Sequence, residues 1–250
     1  MLSARELQRY SRQILLPQVG EEGQRKLAAA RLMVIGLGGL GSPAALYLAA
    51  AGIGTLHLVD GDCIDLSNLQ RQVVYKTNHL GKSKAQVAAQ QLTAANPAIQ
   101  IHPHNRMADA PWLRQQAGQV DLILDCTDNL EIRHVINRSC REARCPVVMA
   151  SVQGFSGQLI SFDFSRNRHP CYACLFPPQK RSAVQNCASA GVIGPALGMV
   201  GSMQALEAMK WLLGLPVPSL NQLHLVEAET LGLQSLQLQR QENCPVCGND

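Results

Sequence analysis

The chain has 250 residues, of which 46% are hydrophobic and 16% are charged, and its formal net charge is +4. This length and hydrophobic content suffice for a substantial core, and we expect one domain. The basic residues are scattered, which argues against nucleic acid as a partner. Residues 1–13 lack the apolar segment of a signal peptide, and no run of about 18 uncharged apolar residues predicts a membrane span. We therefore expect a cytoplasmic protein.

Short apolar runs alternate with helix-length segments through the first 151 residues. This rhythm is typical of βαβ units and predicts a Rossmann-like, mostly parallel sheet in an α/β fold. The segment 83–95 predicts a crossover helix that Ser83 caps and that ends at Asn96 before Pro97. The parallel strands are expected at residues 31–36, 55–60, 99–105, 120–126 and 145–151.

The pattern changes after Ser151. Residues 157–164 alternate with period two, and 223–229 and 233–239 are more polar strands that suit an antiparallel extension of the same sheet. Residues 198–215 are apolar nearly all round, which indicates a helix that is buried or lies in a dimer interface. The polar, proline-led segment 176–186 predicts a mobile loop.

A glycine-rich loop follows the first predicted strand. Gly36, Gly38 and Gly41 occupy the three positions of a G-x-G-x-x-G motif between a strand and a helix, where backbone N–H groups attract phosphate. Asp60 ends the next strand, where an acidic side chain accepts hydrogen bonds from ribose hydroxyls. The alternative is that these glycines only permit close packing of strand and helix. The context favours a nucleotide.

A protein that binds NAD for redox chemistry or for binding alone would satisfy these features, so further residues must discriminate. Asn68 and Arg71 follow the second strand and Lys84 begins a helix, all at the expected ligand edge of the sheet. Asp125 and Asp128 end the fourth strand at that edge, where a carboxylate can hold Mg²⁺ against phosphate oxygens. Each residue alone is typical of a surface charge or a helix cap. Together they favour a Mg–ATP site.

Two C-x-x-C pairs lie in the second half of the chain. In a reducing compartment the nine cysteines are expected to be core thiols, metal ligands or reactive groups rather than disulfides. The spacing within each pair lets two thiolates bind one tetrahedral ion, and two pairs favour one structural Zn²⁺ over two redox motifs. Such a site would fix the tail after about residue 240 onto the segment near 171. Its ligands would be Cys171, Cys174, Cys244 and Cys247.

Several motifs together resemble the ThiF/MoeB/HesA family, whose members are related to ubiquitin-activating enzymes. They are "RYSRQILL", "GLGGLGS", "LSNLQRQ", "LDCTDN" and the two cysteine pairs. The resemblance covers almost the whole chain. It implies a homodimeric, ATP-dependent adenylyltransferase that activates the C-terminal glycine carboxylate of a ubiquitin-fold sulfur carrier ending in Gly-Gly. It also implies one domain, with a nucleotide-binding half at about 1–150 and a carrier-binding and zinc half at about 151–250.

The resemblance also implies roles for single residues. Arg12 would be a finger that reaches the ATP of the other subunit, and Cys187 would bond to the activated carrier. The alternative for Cys187 is an inert residue near a hinge, because other members release the acyl-adenylate to a separate sulfurtransferase; a cysteine desulfurase is another expected partner. The ATP and Mg²⁺ contacts carried over from matching motifs are Gly39, Asp60, Asn68, Arg71, Lys84, Asp128 and Asn129.

The proposed chemistry is consistent with these residue types. A C-terminal carboxylate has a pKa near ~3.5, so it is already an anion at neutral pH and needs no general base to attack the α-phosphate. Positioning and charge neutralisation then carry the catalysis. The runs "ASVQGFSGQL" and "CYACLFPP" resemble ThiF members, which act in thiamine thiazole synthesis, more than MoeB members. Activation of the molybdopterin synthase carrier, or of a carrier in another sulfur pathway, remains an alternative.

The remaining residues with chemical potential receive no catalytic role. Trp112 and Trp211 are expected to be core or interface anchors. The seven histidines are assigned no function, because His57 lies in an apolar strand and His102 and His104 alternate along an expected edge strand. Core packing is expected of four cysteines, namely Cys63, Cys126, Cys140 and Cys145.

Overall fold

The computed structural model describes residues 2–165, 169–178 and 191–248. In these residues eight strands form one sheet in the order β3-β2-β1-β4-β5-β6-β7-β8. The expected α/β fold is confirmed, and each expected strand is present within a few residues of its expected bounds. The strands are β1 (Arg31–Ile35), β2 (Thr55–Val59), β3 (Gln100–His104), β4 (Leu122–Asp125), β5 (Val147–Gln153), β6 (Ser156–Phe162), β7 (Gln222–Glu227) and β8 (Gly232–Gln237).

The direction of the strands changes where the sequence pattern changes. Strands β1 to β5 pair in parallel, whereas β6, β7 and β8 extend the sheet antiparallel. The reversal is a two-residue turn between β5 and β6, in which Gly154 adopts a φ of +60° that favours glycine. The predicted antiparallel extension is therefore confirmed.

The helices cover both faces of the parallel strands. Ser83 accepts a hydrogen bond from the backbone N–H of Gln86, and its helix ends at Asn96 before Pro97, as predicted. The helices in the described residues are α1 (Ala4–Arg9), α2 (Ser11–Ile14), α3 (Gly20–Ala29), α4 (Gly41–Ala51), α5 (Lys84–Ala95), α6 (Ala110–Gln116), α7 (Leu130–Glu142), α8 (Tyr172–Leu175) and α9 (Gly194–Leu213).

Two hydrophobic clusters lie on opposite faces of the sheet. Leu32 and Val34 of β1 pack into the cluster that contains residues of α4, α5 and α9. Met33 and Ile35 of the same strand pack into the other cluster, which contains residues of α6 and α7. Burial on both faces explains why β1 reads as a continuous apolar run rather than an alternating one.

Helix α9 is the predicted apolar helix, although it begins at Gly194 rather than at 198. It packs against α4 and β5. A Cβ on Gly201 would lie 2.6 Å from the carbonyl oxygen of Leu40, so glycine allows the two helices this close approach. The helix is buried along one side and leaves Met199 and Leu206 exposed. None of the described helices is long and apolar enough to cross a membrane.

Candidate nucleotide site and four-cysteine cluster

A cavity of about 670 Å³ opens at the carboxyl ends of the parallel strands. Strand β1 lies between β2 and β4. The chain first builds β2 and β3 on one side of β1 and then crosses to build β4 and β5 on its other side. In an open α/β sheet this switch point is where ligands bind. The cavity is lined by residues that follow β1, β2, β3 and β4. The fold therefore brings the predicted site segments to one place.

The glycine loop forms one wall of the cavity. Gly36, Gly38 and Gly39 line it, and Gly36 has a φ of +88°. Gly41 is not a lining residue. A Cβ there would lie 1.9 Å from the carbonyl oxygen of Gly36, so Gly41 permits the tight return of the chain into α4. The loop thus presents its backbone to the cavity, while the last glycine serves the packing.

Asp60 lies beneath the glycine loop. Its Oδ2 accepts a hydrogen bond of 2.8 Å from the backbone N–H of Leu37, and its Oδ1 accepts one of 2.8 Å from Asp62. Burial raises the pKa of Asp60, and the two backbone hydrogen bonds oppose that rise. Asp60 therefore fixes the loop and also lines the cavity, and each of its carboxylate oxygens has the capacity to accept one more hydrogen bond.

Lys84 projects into the cavity from the first turn of α5. Its side chain is buried, and Nζ donates to Oδ2 of Asp62 at 2.9 Å. Tyr75 joins this helix start to the glycine loop, because its hydroxyl lies 3.0 Å from the carbonyl oxygen of Leu37 and 3.3 Å from that of Lys84. Sequence reasoning missed both Asp62 and Tyr75, since neither contact follows from a motif.

Asn68 and Arg71 lie on the short turn that follows β2. Asn68 ends the 3₁₀ turn Leu66–Asn68, and Arg71 donates through Nη1 to the carbonyl oxygen of Ser67 at 2.9 Å. Both residues line the cavity. The arginine and the lysine therefore approach the same space from two elements, as the sequence predicts.

The segment after β4 supplies the acidic side of the cavity. Asp128 and Asn129 are exposed and line it. The Asn129 side-chain oxygen also caps α7 by accepting from the backbone N–H of Glu131 at 2.8 Å. Asp125 does not line the cavity: it is fully buried, and its Oδ1 accepts from the N–H and hydroxyl of Thr127. Burial raises the pKa of Asp125, and of the two carboxylates at this edge only Asp128 lines the cavity.

Arg133 is a further lining residue that the sequence did not reveal. It is buried, and its guanidinium donates to the carbonyl oxygens of Thr127 and Ala150. It therefore holds the chain that follows β4 against β5. A single arginine on a helix gives no sequence signal for such a role, because only the tertiary fold brings the two carbonyl groups to it.

Two residues assigned through the resemblance lie away from this cavity. Arg12 is exposed on α2 and does not line the cavity of its own chain. Cys187 and most of the loop expected at 176–186 lie outside the described residues. The geometry of one chain therefore leaves the roles of Arg12 and Cys187 as predictions.

The two predicted cysteine pairs converge. All four Sγ atoms lie within 4.8 Å of one another and are buried, with 3.7 Å between those of Cys171 and Cys244 and 3.3 Å between those of Cys174 and Cys247. Zn–S bonds of about 2.3 Å in a tetrahedron place sulfurs about 3.8 Å apart, so the cluster fits such an ion. A closed set of four thiolates would bind it structurally, without an open coordination position, and would fix the C-terminal tail next to α8.

The other cysteines that the structure describes divide into buried and exposed groups. Cys126, Cys140 and Cys145 are buried, as expected of core thiols, and burial raises the pKa of each. Cys63 is exposed, so its assignment to the core is wrong. It follows β2 in the loop that leads to the cavity, where the chain has already left the interior.

By its fold the chain is a doubly wound α/β protein with its ligand cavity at the strand switch point. A family model described as the ThiF family matches residues 10–246. The chain belongs to the ThiF family, and the resemblance inferred from the motifs is confirmed.

Two Escherichia coli (strain K12) proteins illustrate the relationship. The sulfur carrier protein ThiS adenylyltransferase is 43% identical over 247 residues, covering 99% of this chain and 97% of that protein. The molybdopterin-synthase adenylyltransferase is 39% identical over 247 residues, covering 99% and 98%. Among solved structures, E. coli MccB with MccA-N7isoASN superposes with a TM-score of 0.85 at 24% identity, covering 99% of this chain and 76% of that chain. This last likeness concerns the fold alone.

Proposed function

We propose that this protein is an ATP-dependent adenylyltransferase that activates the C-terminal glycine carboxylate of a ubiquitin-fold sulfur carrier ending in Gly-Gly and releases pyrophosphate. The observation that carries this proposal is the cavity at the switch point, which gathers the glycine loop, Arg71, Lys84 and Asp128. The proposal is supported by two relatives that are named for adenylyltransferase activity and match over nearly their whole lengths. A protein that binds NAD would not need Arg71, Lys84 and Asp128 at this cavity.

The residues would divide the work by their chemistry. The backbone of Gly36, Gly38 and Gly39, with Arg71 and Lys84, would bind the phosphates, because N–H groups and cations complement their charge. Asp60 would accept from the ribose, and Asn68 and Asn129 would contact the nucleotide. Asp128 would hold Mg²⁺, which when bound neutralises phosphate charge. The carrier carboxylate would attack the α-phosphorus as an anion, so no residue has to remove a proton.

The proposal also includes a homodimer, a zinc site and a role for Cys187. Two chains would form a homodimer in which Arg12 of one reaches the ATP of the other, consistent with its position away from its own cavity. The four-cysteine cluster would hold Zn²⁺. The Cys187 thiolate would attack the carbonyl carbon of the acyl-adenylate and displace AMP, so that the carrier is held as a thioester, or the acyl-adenylate would pass to a sulfurtransferase or cysteine desulfurase. We place the reaction in the cytoplasm.

The carrier is proposed to be ThiS-like, in thiamine thiazole synthesis. The slightly higher identity to the ThiS adenylyltransferase, 43% against 39%, supports this choice. The alternative is the carrier subunit of molybdopterin synthase, or a carrier of another sulfur pathway. Exchange assays with both carriers, each as full-length protein and with the Gly-Gly removed, distinguish these cases by the carrier that gives the higher kcat/KM.

The activity itself is tested by carrier-dependent ATP–pyrophosphate exchange. We expect Arg71→Ala and Asp128→Ala to abolish exchange while the melting temperature without ligand stays near that of the wild type. Arg114→Ala, an exposed arginine on α6 outside the cavity, is the matched control and should retain exchange. Retained exchange in both cavity variants would refute the assignment. Stabilisation by NADH rather than by ATP would favour the redox alternative.

A further inference from the structure

Three of the seven histidines meet on one face of the sheet at its β3 edge. The register pairs His57 of β2 with His102 of β3, and His104 lies two residues further along β3 on the same face. The His57 ring stacks on both, with centroids 5.0 Å from His102 and 5.4 Å from His104. Neither the motifs nor the nucleotide cavity accounts for this cluster.

Two of these rings already bring their nitrogens to a chelating distance. His57 Nδ1 lies 3.1 Å from His104 Nε2. With metal–nitrogen bonds of about 2.0–2.1 Å, both nitrogens would reach one ion with an angle of about 95–100° at the metal. This angle lies between those of octahedral and tetrahedral coordination, so the separation suits one ion bound to both nitrogens once each ring turns its lone pair from the other nitrogen towards the ion.

We propose that His57 and His104, completed by His102, form a binding site for a transition-metal dication such as Zn²⁺ or Ni²⁺. Imidazole is a good ligand for these ions, whereas Mg²⁺ and Ca²⁺ prefer oxygen. The site is separate from the four cysteines, which are the only such group in the described residues whose ligand atoms already converge. His102 must therefore turn towards the pair, and its exposed side chain has room to do so.

Protonation does not oppose binding. Burial lowers the pKa of His57 to about 4 and also lowers that of His104, so both rings are neutral near pH 7. The ion requires lone pairs on Nδ1 of His57 and Nε2 of His104. One of these atoms carries the proton of the present hydrogen bond, and that proton moves to the other nitrogen of the same ring. The pair then binds the metal without losing a proton.

Two arginines near the cluster, Arg31 and Arg106, oppose an added positive charge, and the surroundings weaken the effect of each. Trp112 packs against His104 in an edge contact, and the Arg106 guanidinium lies 5.1 Å from the centre of the Trp112 ring. Arg106 is paired with Asp109 at 2.7 Å, which offsets part of its charge. Arg31, the other nearby cation, is exposed to solvent. The His104 carbonyl oxygen accepts from the N–H of Asp60, so the cluster adjoins the nucleotide cavity.

Calorimetric titration with Ni²⁺ tests the site, using protein whose four-cysteine cluster is already saturated with Zn²⁺. We expect one saturable Ni²⁺ per chain, and we expect His57→Gln, His104→Gln and His102→Gln each to weaken it at least about tenfold. His224→Gln is the control, because His224 lies on β7 at the opposite end of the sheet. Equal binding in all variants, or no saturable binding, would overturn the proposal.

A second measurement needs no variant and so avoids any failure of folding. Ni²⁺ is paramagnetic and broadens the NMR signals of nuclei close to it. In the wild-type protein with ¹⁵N-labelled histidines, we expect substoichiometric Ni²⁺ to broaden the imidazole signals of His57, His102 and His104 before all others. Broadening that begins at other histidines, or that affects all of them equally, would contradict the site.

Discussion

Lys84 and Asp62 form an ion pair of 2.9 Å across the floor of the nucleotide cavity, although only the lysine follows from the motifs. The lysine is buried and the aspartate is half exposed, so Asp62 neutralises a cation that would otherwise be buried without a partner. A bound phosphate would offer Lys84 a second anionic partner. The pair therefore keeps the cation in place until a nucleotide enters.

This relationship predicts that Lys84→Ala weakens ATP binding by about 1.5–3 kcal/mol, the usual contribution of a hydrogen bond to a charged group. The measurement is equilibrium binding of ATP with Mg²⁺. Lys82→Ala is the matched control, because Lys82 is exposed two residues earlier and does not line the cavity. An equal loss of ATP affinity in the two variants would show that the overall positive charge of the protein, and not the Lys84 ammonium in the cavity, attracts the nucleotide.

The proposed role of Arg12 predicts complementation between two inactive variants. In a two-fold symmetric dimer, a chain with Arg12→Ala and a chain with Asp128→Ala together build one complete site from the intact Asp128 of one and the intact Arg12 of the other. Random mixing of equal amounts should restore roughly a quarter of the wild-type activity. No recovery after verified exchange of subunits would contradict a finger supplied by the partner.

The Zn²⁺ proposed at the four-cysteine cluster predicts that the order of the C-terminal tail depends on the metal. Arg240 donates to the carbonyl oxygen of Cys247 at 3.2 Å, so the ordered tail holds this trypsin site against the cluster. Removing the metal, or replacing Cys247 by Ser, should increase tryptic cleavage after Arg240 at least about tenfold, because the tail unfolds locally. Cys63→Ser, at an exposed cysteine outside the cluster, should leave the rate unchanged. An unchanged rate without metal would refute a structural role.

Glu207 predicts a stability change that depends on pH. Burial raises its pKa, but the hydrogen bonds from Lys210 at 2.8 Å and from Ser219 at 2.9 and 2.6 Å outweigh burial, and its pKa is lowered. Such a group stabilises the fold above its unfolded pKa near 4.5, and this contribution is lost as the pH falls through the folded pKa. The network joins α9 to the chain before β7.

We therefore expect Glu207→Gln to lower the free energy of unfolding by about 1–3 kcal/mol at pH 7, measured by urea denaturation. The difference from the wild type should shrink as the pH falls below about 4.5, where the unfolded carboxylate takes up a proton. Glu229→Gln, at an exposed glutamate, should show no such difference. A penalty for Glu207→Gln that is independent of pH would mean that its charge is not involved.

The sequence predicts the sheet well because its signals are local. The apolar runs, Ser83 with Pro97, and the glycines at 36 and 38 each follow from a few neighbouring residues. The sequence has no helix-length segment between residues 151 and 157. Because parallel neighbours need a long crossover connection, this short link predicts the change from parallel to antiparallel strands. Local pattern therefore suffices for the elements and for the edge at which the cavity opens.

What the sequence does not reveal depends on contacts between distant segments. Asp125 and Asp128 look alike in the sequence, yet only the first turns into the core, where Thr127 satisfies one of its oxygens. Cys63 follows an apolar strand but lies beyond its end and is exposed. The contact between His57 and His104 requires the register of β2 and β3, which hydrophobic pattern alone does not specify at an edge strand.

The most direct test of the central claim is the formation of an acyl-adenylate on the carrier. Purified protein, Mg–ATP and a carrier ending in Gly-Gly should yield a carrier that gains the mass of an adenylyl group, which is AMP less one water, together with one pyrophosphate per carrier activated. A carrier without its last glycine should yield neither product. If the complete mixture, with a ThiS-like carrier or with the carrier subunit of molybdopterin synthase, forms no adenylate and releases no pyrophosphate, the proposed function is wrong.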